Sequence, residues 1–221
     1  MSADTWVRRS RADMARAVAA DIPAGSYVNL GIGLPVTVVD HWSADQEIIV
    51  HSENGILGMR ALAEGEEPDP DIVNAGKQPV QLVSGGCYFH HADSFAMMRG
   101  GHLDYSVLGA YEVSAAGDLA NWSLGETKKA AAVGGAMDLA VGAKRVHALM
   151  EHTTRDGRPR LVTTCSLPLT GAGVVTRVYT DLATIDVTPH GFLVIDMIPG
   201  LTRAELQERT GAPLRFEREW S

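Results

Sequence analysis

Three kinds of residue in this chain could do chemistry: one carboxylate set in a polar turn, clusters of glycine beside apolar runs, and a few histidines and cysteines. The carboxylate is Glu53, in Ile48-Ile49-Val50-His51-Ser52-Glu53-Asn54-Gly55-Ile56-Leu57-Gly58, where a β-branched run that reads as a buried strand breaks into a turn. Glu53 is therefore expected to be exposed at a strand's end, the place where ligands bind in an open α/β sheet. Asn54 and Gly55 tolerate the left-handed backbone of a sharp turn, and Gly55 lets a ligand come close to the main chain. A carboxylate so placed can act as a covalent nucleophile toward an activated acyl group. Negative charge then develops on the acyl oxygen, and backbone N–H groups of glycine turns can hold it. Asn29, Gly31, Gly33, Gly134 and Gly135 are of the right type. Residue types alone leave a solvated hairpin turn level with a catalytic carboxylate.

The other candidates are weaker. Gly31-Ile32-Gly33 follows a strand, opens a helix and precedes an acid, Glu53, by about twenty residues, which is how a dinucleotide site begins. Its third glycine is missing, because Pro35 and Val36 stand there. His90-His91-Ala92-Asp93 invites a metal, yet adjacent side chains diverge and no third ligand stands at helical spacing, so no metal is expected. These two histidines read as loop residues, solvated or touching a polar ligand. His147 and His152 read as structural. No Gly-x-Ser-x-Gly elbow exists, and Cys87, with no base nearby in sequence, reads as a small buried residue.

The elements that must position these groups follow from periodicity. A first helix over residues 10–22 is expected, with Ser10 as cap, then a strand over 27–30, the glycine turn, a helix over 35–42 and the strand before Glu53. Together these make a β-α-β unit with parallel strands. Residues 63–71, acidic and broken by prolines, are expected as an exposed loop overhanging the Glu53 turn. A strand over 80–83, a turn at Ser84-Gly85-Gly86, a helix over 93–99 and a buried strand over 105–108 come next. Gly134-Gly135 leads into a second short helix and a strand over 146–150. The last third reads as strands over 160–163, 174–180, 184–187 and 192–197, with a final helix capped by Thr202 and Glu205 and stopped at Gly211. The fold class is α/β: an open, largely parallel sheet flanked by helices, with a β-rich carboxyl-terminal part, in one domain over 1–221.

Composition limits the partners. A net charge of −8, from 19 basic and 27 acidic residues without a basic cluster, argues against nucleic acid and anionic membrane surfaces. No apolar run is long enough for a membrane span and the first residues are polar, so a cytoplasmic protein is expected. Cys87 and Cys165 are taken as reduced thiols.

Seven blocks, taken in order, resemble one family. They are Asn29-Leu-Gly-Ile-Gly-Leu-Pro35, Ser52-Glu-Asn-Gly-Ile-Leu-Gly58, Asn74-Ala-Gly-Lys77, Ser94-Phe-Ala-Met-Met-Arg-Gly-Gly-His102, Gly117-Asp-Leu-Ala-Asn-Trp122, Gly134-Gly-Ala-Met-Asp-Leu139 and Leu167-Pro-Leu-Thr-Gly171. Together they are similar to the β subunits of class I CoA-transferases, which move coenzyme A between an acyl-CoA and a free carboxylic acid. The resemblance implies an enzyme in which Glu53 is the nucleophile and carries coenzyme A as a glutamyl thioester. Coenzyme A is then substrate and covalent intermediate, and no cofactor is permanently bound. It further implies that Gly134 is a backbone donor near the reacting oxygen, that Asn29 lies beside the active-site turn, and that Lys77 approaches the CoA phosphates. An α subunit as partner, usually in an α2β2 heterotetramer, is implied as well.

The segment from His90 to Phe95, with Gly65-Glu-Glu67 and the run Tyr179 to Ala183, looks closest to the branch acting on 3-oxoadipate with succinyl-CoA. Members acting on acetoacetate or another short 3-oxo acid are the alternative. His90 or His91 is then a candidate to receive the acid's distal carboxylate. Arg60 stands where relatives commonly carry Gly-Pro after the turn; it reads as an exposed loop arginine or as a second carboxylate receptor. A nicotinamide-dependent enzyme using Gly31 and Gly33, and a non-catalytic metabolite sensor, are the remote rivals.

Overall fold

A computed structural model describes residues 6–125 and 132–217. Its first helix, α1 (Arg11–Asp21), starts as expected: Ser10 Oγ accepts from the Asp13 amide, and the Asp13 carboxylate reaches back to the Ser10 amide. Strand β1 (Tyr27–Leu30) follows and runs through the glycine turn into Leu34–His41. That segment is a 3₁₀ helix, where an α-helix over 35–42 is expected from the sequence. The physical reason lies in its residues: Val36, Thr37, Val38 and Val39 are all β-branched, and the Gly33 cap offers no side chain to the first turn.

Strand β2 (Ile49–Ser52) pairs parallel with β1 and turns at Glu53-Asn54 into the antiparallel β3 (Ile56–Ala61). β4 (Val80–Tyr88) pairs with β3 and forms the sheet's edge. The Ser84-Gly85-Gly86 turn expected from the sequence lies inside this nine-residue strand. Those glycines serve a bulge: the register with β3 shifts between Leu57 and Met59, and a β-carbon on Gly86 would stand 2.7 Å from the Gly58 carbonyl oxygen. Cys87 is consequently exposed on the edge strand, where a buried residue is expected from its neighbours.

Helix α2 (His91–Arg99) begins earlier than expected and takes His90 as its cap. β5 (Tyr105–Leu108), β6 (Glu112–Ser114), β7 (Leu119–Ala120), α3 (Ala136–Gly142), β8 (Arg145–Leu149), β9 (Leu161–Val162), β10 (Val175–Tyr179), β11 (Ala183–Thr188), β12 (Gly191–Met197), α4 (Arg203–Glu208) and β13 (Leu214–Phe216) complete the chain. The large sheet runs β13-β12-β11-β10-β8-β5-β1-β2-β3-β4, with β10, β8, β5, β1 and β2 mutually parallel; β7, β6 and β9 form a small second sheet. β1 is the switch point. From it the chain goes to β2 on one side and later returns to β5 on the other.

Two apolar clusters cover the sheet's faces. Met14, Ala15 and Val18 of α1 and Ile22 at its carboxyl-terminal cap pack with Val28, Val50, Tyr105 and Val107. Met98 of α2 and Leu139 and Ala140 of α3 belong to the other cluster, with Val146, Ala148 and Val178. Along β8 the side chains alternate between the two clusters, Val146 and Ala148 to one and Leu149 to the other, as strand geometry requires. Among the described residues no helix is long and apolar enough to cross a membrane, and no group of His, Cys, Asp and Glu could hold a metal.

Candidate active site

A cavity of about 820 Å³ opens where the parallel strands end. Gly31 follows β1, Glu53 follows β2, Leu108 to Tyr111 close and follow β5, and Leu149 to Glu151 do the same for β8; all of them line it. Every parallel strand from β2 to β8 thus contributes its carboxyl end, which is where a doubly wound sheet leaves a crevice at its switch point. The loop before α3 supplies the facing wall with Val133, Gly134, Gly135 and Ala136.

Glu53 is half-buried at this cavity, at the tip of the β2–β3 hairpin. Gly55 makes that hairpin possible. It sits at φ 115°, and a β-carbon there would lie 2.2 Å from the Phe89 carbonyl oxygen, so only glycine lets β3 pass the chain entering α2. The turn is covered by the Asn74-Ala75-Gly76-Lys77 turn, because Asn54 Nδ2 donates to the Val73 carbonyl at 2.7 Å and the Ala75 amide donates to Ser52 Oγ at 2.9 Å. The acidic segment over 63–71 is exposed as expected, but the contact with the Glu53 turn comes from the residues after it. Lys77 stands at the exposed tip of this covering turn with φ 63°, outside the cavity wall.

Behind Glu53 lies a buried polar chain. Asn29 is 1% exposed, and its Nδ2 donates to Glu53 Oε2 at 3.2 Å, to the His51 carbonyl at 3.2 Å and toward His51 Nδ1 at 3.1 Å. Two carbonyl-type oxygens facing Nδ2 set the orientation of the amide, since the reverse flip would put Oδ1 against a carboxylate. His51 Nδ1 is thereby the acceptor, so Nε2 carries the proton and donates to Ser94 Oγ at 2.8 Å. Burial pushes His51 down to about 4, which keeps the ring neutral. Ser94 belongs to α2, so this chain ties β1, β2 and α2 together beneath the carboxylate. Neither His51 nor Ser94 stands out in the sequence; both are buried, His51 on β2 and Ser94 on α2.

The glycines divide by position. A β-carbon on Gly135 would lie 3.9 Å from Glu53 Cγ and 3.3 Å from Phe95 Cζ, so the Gly134-Gly135 loop passes beside the carboxylate side chain across some eighty residues of sequence. Among the described residues, no backbone acceptor takes the Gly134 or Gly135 amide. Gly31 lines the cavity, but its amide is given to the Val107 carbonyl at 2.8 Å, which leaves it structural there. Gly33 is exposed beyond the cavity wall. The helix a dinucleotide site requires after this turn is absent, because the 3₁₀ segment takes its place.

His90, His91 and Arg60 do not line the cavity. His90 Nδ1 accepts from the Ala92 amide as the cap of α2, and His91 rests edge-on against Phe95 at 4.9 Å, so both are helix-start residues and not loop residues. Arg60 lies on β3, not in a loop, and its guanidinium is held by both oxygens of Glu66 at 2.7 Å. His147, between the Tyr105 and Tyr179 rings, and His152, between Thr180 and Thr210, are buried structural groups as expected. What the sequence does not single out are three arginines at the cavity, Arg11, Arg155 and Arg160.

A model of the family described as Coenzyme A transferase matches residues 11–209. One subunit of the 3-oxoadipate CoA-transferase of Pseudomonas putida is 54% identical over 205 residues, covering 93% of this chain and 96% of the relative. The corresponding subunit of the succinyl-CoA:3-ketoacid coenzyme A transferase of Helicobacter pylori is 44% identical over 194 residues, 88% of this chain and 93% of the relative. Among solved structures, the acyl-CoA transferase YdiF apoenzyme of Escherichia coli O157:H7 superposes with a TM-score of 0.73 over 95% of this chain at 16% identity. This chain spans 42% of that longer one, and the likeness is one of fold.

Proposed function

The chain belongs to the Coenzyme A transferase family, and from that premise we propose that it is the catalytic β subunit of an enzyme moving coenzyme A from succinyl-CoA to 3-oxoadipate, with Glu53 as the covalent carrier. The observation that carries this reading is the meeting of Glu53 with the Gly134-Gly135 loop at a cavity built from strand carboxyl ends.

The Glu53 carboxylate attacks the thioester carbonyl of succinyl-CoA and expels the CoA thiolate, giving a mixed anhydride. The thiolate then attacks the glutamyl carbonyl, releasing succinate and leaving a thioester on Glu53. The carboxylate of 3-oxoadipate attacks that thioester, forming a second anhydride, and the returning thiolate attacks its acyl carbonyl to give 3-oxoadipyl-CoA and free Glu53. Each attack places negative charge on a carbonyl oxygen, and the amides of Gly134 and Gly135, which no backbone acceptor takes among the described residues, are suited to receive it. Asn29 fixes one oxygen of Glu53 and leaves the other to attack. Lys77, at the tip of the turn over Glu53, is suited to the CoA phosphates, whose remote binding helps drive the anhydride steps.

An α subunit completes the enzyme in this reading, as an α2β2 heterotetramer working in the cytoplasm. The two bacterial relatives described above each carry the name of a single subunit of their transferase. Ile32 at the cavity, 70% exposed, and Val141 on α3, 69% exposed, give a partner apolar surface to cover. The test is to assemble the chain with its α subunit, add succinyl-CoA and follow intact mass. A CoA adduct mapped to Glu53 is expected; no adduct, or one that persists in Glu53→Ala, overturns the assignment.

A further inference from the structure

Arg11, Arg155 and Arg160 share the cavity with Glu53, and among the described residues only Arg11 has an acid of its own there, Glu151 at 3.5 Å. The acids that could serve the other two are engaged elsewhere. Glu112 accepts from the amides of Ser166 and Leu167 and from the Ser166 hydroxyl. Asp156 is held by Arg158 and Thr154, and Asp181 by Arg8 and the His152 amide. Among the described residues neither Arg155 nor Arg160 has an ion pair, and Arg160 Nε is buried with no acceptor at all. A buried guanidinium N–H without a partner is costly, which marks it as a place for an acceptor that comes with a ligand.

The backbone holding Arg160 is rigid. Its amide donates to the His152 carbonyl at 3.1 Å, and its carbonyl accepts from the Val113 amide at 2.9 Å, directly before β9. His152 is itself clamped between two threonines. The cavity therefore presents one carboxylate that reacts, Glu53, and, on a backbone held at both its amide and its carbonyl, a planar cation that lacks a counterion among the described residues.

We infer that Arg160, assisted by Arg155, forms the subsite for the second carboxylate of a dicarboxylic acyl group whose carbonyl lies at Glu53. This rests on the acyl-transfer reading of Glu53 given above. A guanidinium takes a carboxylate in two parallel hydrogen bonds, a geometry that fixes the length and direction of the acyl chain. The anionic alternative, a CoA phosphate, lies beyond the thioester on the side away from the acyl group, and Arg160 there would act on every CoA ester alike. The role assigned to His90, His91 and Arg60 from the sequence thus passes to arginines in the cavity.

The experiment uses the assembled enzyme with succinyl-CoA as donor and compares a dicarboxylic acceptor, 3-oxoadipate, with a monocarboxylic one, acetoacetate. The covalent intermediate separates the two half-reactions, so kcat/KM for the acceptor reports the second alone. Arg160→Gln is expected to lower kcat/KM for 3-oxoadipate about ten- to hundredfold more than for acetoacetate. Arg155→Gln, on an exposed turn and free of folding consequences, is expected to shift the ratio in the same direction by about threefold. Equal losses on both acceptors in both variants, or a wild-type enzyme with no preference for the diacid, overturn the inference. Intact mass keeps the two readings apart: a Glu53 adduct with an unchanged acceptor ratio sinks the subsite alone, whereas no adduct in the wild type sinks the acyl-transfer reading itself.

Discussion

Asn29 on β1 and Glu53, one residue past the end of the neighbouring parallel strand β2, are joined by a 3.2 Å hydrogen bond from the Asn29 amide to one carboxylate oxygen. The donor is buried and the acceptor half-buried, so a rigid strand residue aims a partly free carboxylate. Asn29→Ala is expected to lower kcat about ten- to hundredfold with little change in KM, the worth of one hydrogen bond to a charged group. Asn29→Asp puts a second carboxylate against Glu53; the activity then falls further and its acid limb moves to higher pH, because like charges raise one carboxyl pKa. Steady-state kinetics over pH check both. An unchanged acid limb in Asn29→Asp would show that the two groups do not meet in solution.

The contact between Gly135 and Glu53 gives a separate expectation. An alanine β-carbon at 135 would stand 3.3 Å from the Phe95 ring and 3.9 Å from Glu53 Cγ, and valine would extend methyl groups beyond it. Gly135→Val is expected to abolish the CoA adduct on Glu53 in single-turnover mass measurements, a loss beyond about a hundredfold, with the thermal midpoint little changed. Gly135→Ala combined with Phe95→Leu relieves the ring contact; a full return of activity there would mean that the ring, and not the carboxylate, sets the limit.

How far such a site is legible in the sequence depends on whether the signal is local. The Ser10 and Thr202 capping boxes, the β1–turn–β2 unit and the short helix after Gly135 are local patterns, and each is present. The Ser84-Gly85-Gly86 bulge reads as a turn because its cause is Gly58 on the adjacent strand, invisible to a one-dimensional reading. The 3₁₀ segment is open to prediction from its run of four β-branched residues. Glu53 can be singled out by its turn, but Ser94, His51 and Arg160 acquire meaning only through burial and the partners they have or lack.

Gly55 and Gly134 both have positive φ but differ in what surrounds them. A β-carbon on Gly55 meets the Phe89 carbonyl oxygen at 2.2 Å, while one on Gly134 meets none of the described residues within 4 Å. Gly134→Ala therefore carries only the backbone penalty, about 1 kcal/mol. Gly55→Ala must push the hairpin away from the entry to α2 and is expected to cost about 3 kcal/mol or more. Denaturant midpoints of the two variants decide it, and equal losses would contradict the close approach of Gly55 to Phe89.

Three buried histidines make the fold sensitive to acid in a defined window. Burial pushes His51, His147 and His152 each down to about 4. An unfolded chain takes up those protons near pH 6.5, so between roughly pH 6.5 and 4 the unfolded state binds more protons than the folded one. Stability is accordingly full above that window and falls as the pH drops through it, by up to about 1.4 kcal/mol per pH unit for each histidine. Carboxylates held low by partners, such as Asp104 beside Lys144, add their loss only as the pH falls further, through the carboxylate range. Thermal midpoints measured from pH 8 to pH 4 should stay level and then decline below about 6.5. His147→Gln removes one titrating group while keeping a polar side chain between Tyr105 and Tyr179, and it should flatten that decline by about a third. A slope unchanged in this variant would mean that His147 is already protonated in the folded chain.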